Sequence, residues 1–307
     1  ILDGNDPIDI TPIRATTSAG DVTFAATNGS STITVSDTNN GVFLNDFVTF
    51  SGAVSLGGAI TAAVLNKEYQ VTSVVNANSY TISATVTANS SDTGNGGGSV
   101  VGTYQINSGL DSAASGSGWG AGTWSRGSWS SAADVSIAGA QLRLWSMDNF
   151  GEDLIANVRG GGIYYWDASA GTSARAVNIT TLSGNNQPQA ANLVLVSERD
   201  RHVLAFGCDP QGDPGNLDPL TIRFSDQESF TDWAATSTKT AGELRIGTGS
   251  EIIAAVQTKQ QVIVFTDRSV SSMQFIGAPF TFGLSEVSTN TSIAGQNAAV
   301  AFGDAVY

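Results

Sequence analysis

The single histidine of this 307-residue chain, His202, stands in the run Glu198-Arg199-Asp200-Arg201-His202. Histidine is the side chain best placed to move protons near neutral pH. A general base also needs a cleft and an orienting partner. The run falls on a short polar turn between two apolar segments, so it reads as a solvated turn whose charges pair locally. Cys208 is the sole cysteine. One histidine and one cysteine exclude a zinc site of ordinary ligands and any internal disulfide. The acidic loop Asp209-Pro210-Gln211-Gly212-Asp213-Pro214-Gly215-Asn216-Leu217-Asp218-Pro219 could turn oxygens toward calcium. Its spacing misses the EF-hand pattern, and its prolines and glycines read as a series of rigid turns. The run Gly94-Asn95-Gly96-Gly97-Gly98 matches a phosphate loop in composition alone, since no Lys-Ser/Thr pair follows it. No metal or cofactor is expected, and no catalysed reaction.

One other segment could hold a ligand. In Gly118-Trp119-Gly120-Ala121-Gly122-Thr123-Trp124-Ser125-Arg126-Gly127-Ser128-Trp129 the indoles recur every five residues. That period fits neither a helix nor a strand. Intervening glycines let the chain bend so that the rings can stack. Trp119, Trp124 and Trp129 are therefore the candidate subunit or ligand contact, with a carbohydrate platform as the rival use. The Asn-x-Ser/Thr triplets at Asn28, Asn89, Asn178 and Asn290 are expected by chance in so hydroxyl-rich a chain.

The elements that must position these residues read as strands. In the second half an apolar strand, a tight polar turn and a second apolar strand recur four times. The copies are 154–158 with 163–166, 193–196 with 202–206, 252–256 with 261–265, and 298–302 with 305–307. Aromatic and β-branched residues around short polar turns are a hairpin signal. Anchored at Ile155, Val194, Ile253 and Ala299, the copies lie 39, 59 and 46 residues apart. Multi-strand repeats of that length point to a β-propeller with uneven loop insertions.

Residues 16–102 have a different texture. Strand candidates at 22–26, 32–35, 47–50, 68–74 and 80–84 are separated by Asn-Gly, Ser-Gly and Asn-Ala-Asn turns. The alternation in Thr32-Ile33-Thr34-Val35 and Tyr80-Thr81-Ile82-Ser83 gives each strand one buried face. The expected fold class is thus all-β: a propeller-like body with an inserted small β-barrel or sandwich. The expected division is an extended body strand at 1–15 (Pro12 forbids a helix there), the insert at 16–102 with the glycine run as a flexible exit, and blades at 103–307. Helix signals are weak throughout, because glycines and β-branched residues interrupt every candidate window.

Composition agrees. Charged residues make up 13 % and hydrophobic residues 41 %, with 35 glycines, which suits a turn-rich β protein with its own cores. Acids outnumber bases 27 to 13, for a net charge of −14. Such a chain lacks the cations that displace counterions from DNA, so tight nucleic-acid binding is excluded and phosphate would be repelled. No run approaches the ~20 apolar residues of a membrane span. Lacking an initiator Met, and stopping within a strand pattern at Tyr307, the stretch is expected to be part of a longer polypeptide.

Several strings together resemble the tail nozzle (distal tail hub, or tail tubular) proteins of short-tailed bacteriophages. They are Asp9-Ile10-Thr11-Pro12-Ile13-Arg14, the Gly-Trp segment, Leu142-Arg143-Leu144-Trp145-Ser146 with Asn149-Phe150-Gly151-Glu152-Asp153-Leu154, Gly160-Gly161-Gly162-Ile163-Tyr164-Tyr165-Trp166, Arg223-Phe224-Ser225-Asp226 with Asp232-Trp233, and Val262-Ile263-Val264-Phe265-Thr266-Asp267-Arg268. The stretch between Asp46 and Ile82 is similar to small β-modules inserted in phage structural proteins. The resemblance implies a propeller protomer in a hexameric ring. That ring would sit in the virion tail below adaptor and portal proteins, next to tail fibres, around a channel that passes DNA without gripping it. Two rivals stay open. The insert or the tryptophan segment could recognise a host glycan or receptor. A glycan-cleaving propeller ranks last, because Ser225-Asp226 fails the Ser-x-Asp-x-Gly spacing of the sialidase aspartate box.

Overall fold

The computed structural model describes residues 2–3, 6–107, 144–277, 280–303 and 305–307. They form two compact units, Ile1–Ile10 with Leu144–Tyr307, and Thr11–Arg143. The chain leaves the first unit, builds the second and returns, so the second is an insertion. The fold is all-β. Among the described residues no helix is long and apolar enough to cross a membrane.

A short hairpin, β1 (Leu2–Asp3) with β2 (Asp6–Pro7), opens the chain. The inserted unit follows: β3 (Ile13–Thr16), β4 (Thr23–Ala26), β5 (Thr32–Ser36), β6 (Phe47–Ser51), α1 (Ala62–Leu65), β7 (Glu68–Asn76), β8 (Ser79–Ser83) and β9 (Val101–Gln105). One antiparallel sheet holds the strands in the order β3-β9-β6-β7-β8-β5-β4. Its ends do not pair, so it is no closed barrel. Instead it folds over a common core, with Phe24 of β4 edge-on to Phe50 of β6 at 5.0 Å. Alternation works as expected: Ile33, Val35, Tyr80 and Ile82 are fully buried while their hydroxyl neighbours face outward. Helix α1 is a single turn, started by the Thr61 hydroxyl accepting the Val64 N–H at 3.4 Å.

Both expected boundaries of the insert shift. Strand β3 hydrogen-bonds to β9, so 13–16 belongs to the insert rather than the body; the body keeps Asp9, paired with Arg175 at 2.5 Å, and the Ile10 carbonyl, which accepts the Ala176 N–H. At the other end the glycine run does not exit. Asn95 and Gly96 carbonyls accept the Phe24 and Val54 N–H groups at 3.0 and 2.8 Å, and β9 then enters the sheet between β3 and β6. Gly96 and Gly97 both have φ +89, and a Cβ on Gly96 would lie 2.5 Å from the Phe24 ring. Glycine is there for close approach, not looseness.

The body contains three four-stranded antiparallel meanders among the described residues. They are β10 (Trp145–Phe150), β11 (Asp153–Val158), β12 (Ile163–Trp166), β13 (Val177–Asn178); β14 (Ala191–Ser197), β15 (His202–Cys208), β16 (Thr221–Phe224), β17 (Gly242–Arg245); and β18 (Ile252–Gln257), β19 (Val262–Thr266), β20 (Ser269–Phe275), β21 (Phe282–Thr289). A hairpin, β22 (Ala301–Phe302) with β23 (Ala305–Val306), follows. The sheets stack face to face, as propeller blades do. Ile155, Ile163, Val194, Val203 and Trp233 fill the space between the first and second sheets; Leu204, Phe206, Ile222, Val264 and Met273 fill that between the second and third. The middle sheet is covered on both faces. That is why β15 is apolar without alternation and every residue in it is buried.

The first repeat copy sits one strand later than its fellows. Residues 154–158 and 163–166 are the second and third strands of their sheet, whereas the other copies are first and second strands. The true first strand, β10, carries polar residues at Ser146, Asp148 and Asn149 and so lacked the apolar signal.

Candidate functional site

The middle sheet starts on β14, whose free edge pairs with backbone only at its first residue, where Ala191 bridges Gly161. Unpaired edge groups invite foreign strands. Further along, at Val194 and Val196, neighbouring side chains occupy them. Ser146 Oγ accepts the Val194 N–H at 2.9 Å, and Asp148 Oδ2 accepts the Val196 N–H at 2.8 Å. From the third sheet, Gln257 in the amide orientation that satisfies both ends donates to the Val196 carbonyl at 2.7 Å and accepts the Glu198 N–H at 3.2 Å. First strands of three successive sheets are thereby stitched through one edge. Burial pushes the Asp148 carboxyl above its ordinary range, opposed by the Val196 and Asn149 N–H groups.

Beside the stitches the first hairpin turns open into a cleft of about 690 Å³, lined by Asp148, Glu198, Arg199, Gln257, Lys259 and Gly303 among others. Its charge is mixed. Both Asp148 oxygens already accept backbone N–H groups, Oδ1 from Asn149 at 2.9 Å. The chemistry available to it is structural: it clamps a strand edge.

His202 is not the solvated turn residue that its neighbours suggested. Arg201 takes φ 55 to close the turn, and His202 begins β15 pointing inward, fully buried. Its ring meets Phe224 of its own sheet and Phe275 and Phe282 of the next, with centroids 6.4, 6.2 and 5.3 Å away. Nδ1 donates to the Ser225 carbonyl at 2.7 Å, which leaves Nε2 as a bare acceptor without a partner. Burial lowers its pKa from 6.5; the Ser225 bond and the Asp200 and Asp226 carboxylates pull the other way. The charges of the turn do pair locally, Arg201 with Glu228 at 3.6 Å and Arg199 with Asp200 at 3.8 Å.

The acidic loop organises itself. Asp209, fully buried, accepts N–H bonds from Gln189, Ala190 and Gly215 at 2.8, 2.9 and 3.2 Å. Asp218 binds the Leu220 N–H, the Thr221 hydroxyl and Arg245. Arg223 lies buried across from it and donates to the Asp209, Asn186 and Trp233 carbonyls. Desolvation lowers the Arg223 pKa and raises that of the buried Cys208 thiol. No group of three or more acidic, His or Cys side chains among the described residues is set to hold a metal. Trp119, Trp124 and Trp129 lie outside the described residues. The stitching residues Ser146, Asp148 and Gln257 were missed; their sequence signal is the polar alternation in Ser146-Met147-Asp148 on an otherwise aromatic segment.

No protein-family model matches the chain, and no curated protein matches it. Among solved structures it is similar to the phage phi92 endosialidase, with a TM-score of 0.27 and 12 % identity, over 95 % of this chain and 45 % of that one. The chain thus spans less than half the length of that protein. The expectation of a chain without catalysis does not stand, because the structure it is similar to is by its name an enzyme. At that TM-score the likeness carries no argument for a reaction in this chain.

Proposed function

We propose that the chain is a structural protein of a bacteriophage virion, a tail nozzle component whose copies form a ring around the path of exiting DNA. The observation that carries the reading is the stitched edge of β14. Side chains from both neighbours turn three stacked sheets into one stiff body, as a load-transmitting ring segment requires. The net charge of −14 supports it, because a wall of that sign leaves phosphate mobile. The strings resembling tail nozzle proteins support a place in the particle below portal-side and adaptor proteins and beside tail fibres, with a hexamer as the proposed assembly. The test is light scattering and electron microscopy of the purified protein, alone and with its adaptor. Closed rings around an open channel are expected. Monomers under every condition would remove the reading.

A further inference from the structure

At the β4–β5 and β7–β8 end of the inserted unit lies a cleft of about 410 Å³, within the ~300–1,000 Å³ range of small-ligand pockets. Every residue lining it carries a polar side chain, Asp21, Asp37, Thr38, Asn76, Asn78 and Ser79 among them. Asp37 is only 7 % exposed. Its Oδ2 accepts the Tyr104 hydroxyl at 2.7 Å, and Tyr104 is held in turn by the Tyr80 hydroxyl at 2.9 Å. Both rings are fully buried, so the carboxylate is fixed in place before any ligand arrives. Its other oxygen has no hydrogen bond among the described residues.

The remaining groups divide in the same way. The Asn76 and Asn78 side-chain oxygens are taken by the N–H groups of Asn78 and Asn39, at 2.8 and 2.9 Å. That leaves their two NH₂ groups as open donors. Asp21 uses Oδ2 on the Ser18 N–H at 3.0 Å and keeps Oδ1 open. The Thr38 and Ser79 hydroxyls are unengaged among the described residues. The cleft therefore offers acceptors, donors and hydroxyls together, with no Lys or Arg and no aliphatic or aromatic side chain in its lining. Two carboxylates repel an anionic ligand. The lack of any aliphatic or aromatic side chain in the lining disfavours a lipid or aromatic one. Groups that donate and accept through every hydroxyl meet this inventory.

We infer that this cleft binds a neutral saccharide, with Asp37 and Asp21 accepting from sugar hydroxyls and Asn76 and Asn78 donating to them. The inference is independent of the tail assignment. The test uses the whole chain on an array of immobilised glycans: neutral hexose and N-acetylhexosamine oligosaccharides, and their sialylated and sulfated counterparts. Retention of neutral glycans is expected, with the acidic ones at least about tenfold weaker, the scale set by one or two lost hydrogen-bonding groups. Thr38→Trp, which fills the cleft from an exposed position, should abolish retention without moving the melting temperature. If that variant fails to fold, Asn78→Ala serves, with a loss of about tenfold. Failure to retain any neutral glycan, equal retention of acidic ones, or indifference to both substitutions would overturn the proposal. So would calcium chloride alone raising the melting temperature of the wild-type chain and not of Asp21→Ala, which would make the cleft a cation site.

Discussion

Removing the acceptor that covers the free edge of β14 should destabilise the body measurably. In Asp148→Ala the Val196 N–H loses its partner at 2.8 Å. Val196 is 4 % exposed, so water is poorly placed to replace the carboxylate. A buried donor left without a partner costs about 1–3 kcal/mol. Part of that is offset, because Asp148 itself is held at a desolvation cost. For a unit of this size each kcal/mol is worth roughly 2–4 °C of Tm. Calorimetry of the full chain should therefore show the body transition fall by about 2–10 °C, with the insert transition unmoved. Asp148→Asn keeps an acceptor and sheds the buried charge, so it should lie close to wild type at neutral pH. Since burial raises the Asp148 pKa, the native fold favours the protonated acid. Its contribution is full at low pH and declines as pH rises through the folded-state value. The Asn variant should flatten that decline. If Asp148→Ala and Asp148→Asn melt together, or if the shift appears in the insert transition, the stitching argument is wrong.

Three further outcomes follow from the buried polar and aromatic groups. His202 has a folded pKa below 6.5, so the unfolded chain takes up the proton first; body stability should fall as pH drops below about 6.5. His202→Gln should lose that slope in urea titrations across the pH range. Phe282→Ala, which removes ring contacts at 4.9 Å to Phe224 and 5.3 Å to His202, should cost about 3–5 kcal/mol in denaturant unfolding of the body. Tyr104→Phe strands the Tyr80 hydroxyl and Asp37 in the insert, and should lower only the insert transition, by about 1–3 kcal/mol.

The sequence revealed strands wherever a single residue pattern decided burial. Thr32-Ile33-Thr34-Val35 and Tyr80-Thr81-Ile82-Ser83 have one covered face, and their alternation said so. The apolar run 202–206 signalled one strand of a hairpin and no more; in the structure it is covered on both faces and marks the middle of a stack. Strands whose polar side chains serve a neighbouring sheet were invisible: β10 uses Ser146 and Asp148 to cap β14, so its pattern resembles a loop. Strand β9 was lost for another reason, because the glycine run before it looks like a linker when only composition is read. Its hydrogen bonds to Phe24 and Val54 span more than forty residues of sequence. His202 was misplaced because a charged turn next to it set the expectation. One residue further along, the pleat had already turned its ring into the core. The open cleft in the insert had no sequence signal at all, since its residues come from three separated segments.

The functional account is tested most directly by a cryo-electron microscopy map of the virion to which the proposal assigns this chain. The account predicts copies of the chain in a closed ring at the distal end of the tail, with stacked sheets around a continuous channel that contains or admits DNA. A map in which the chain is missing from the tail, or sits as separate copies away from the channel, would contradict it.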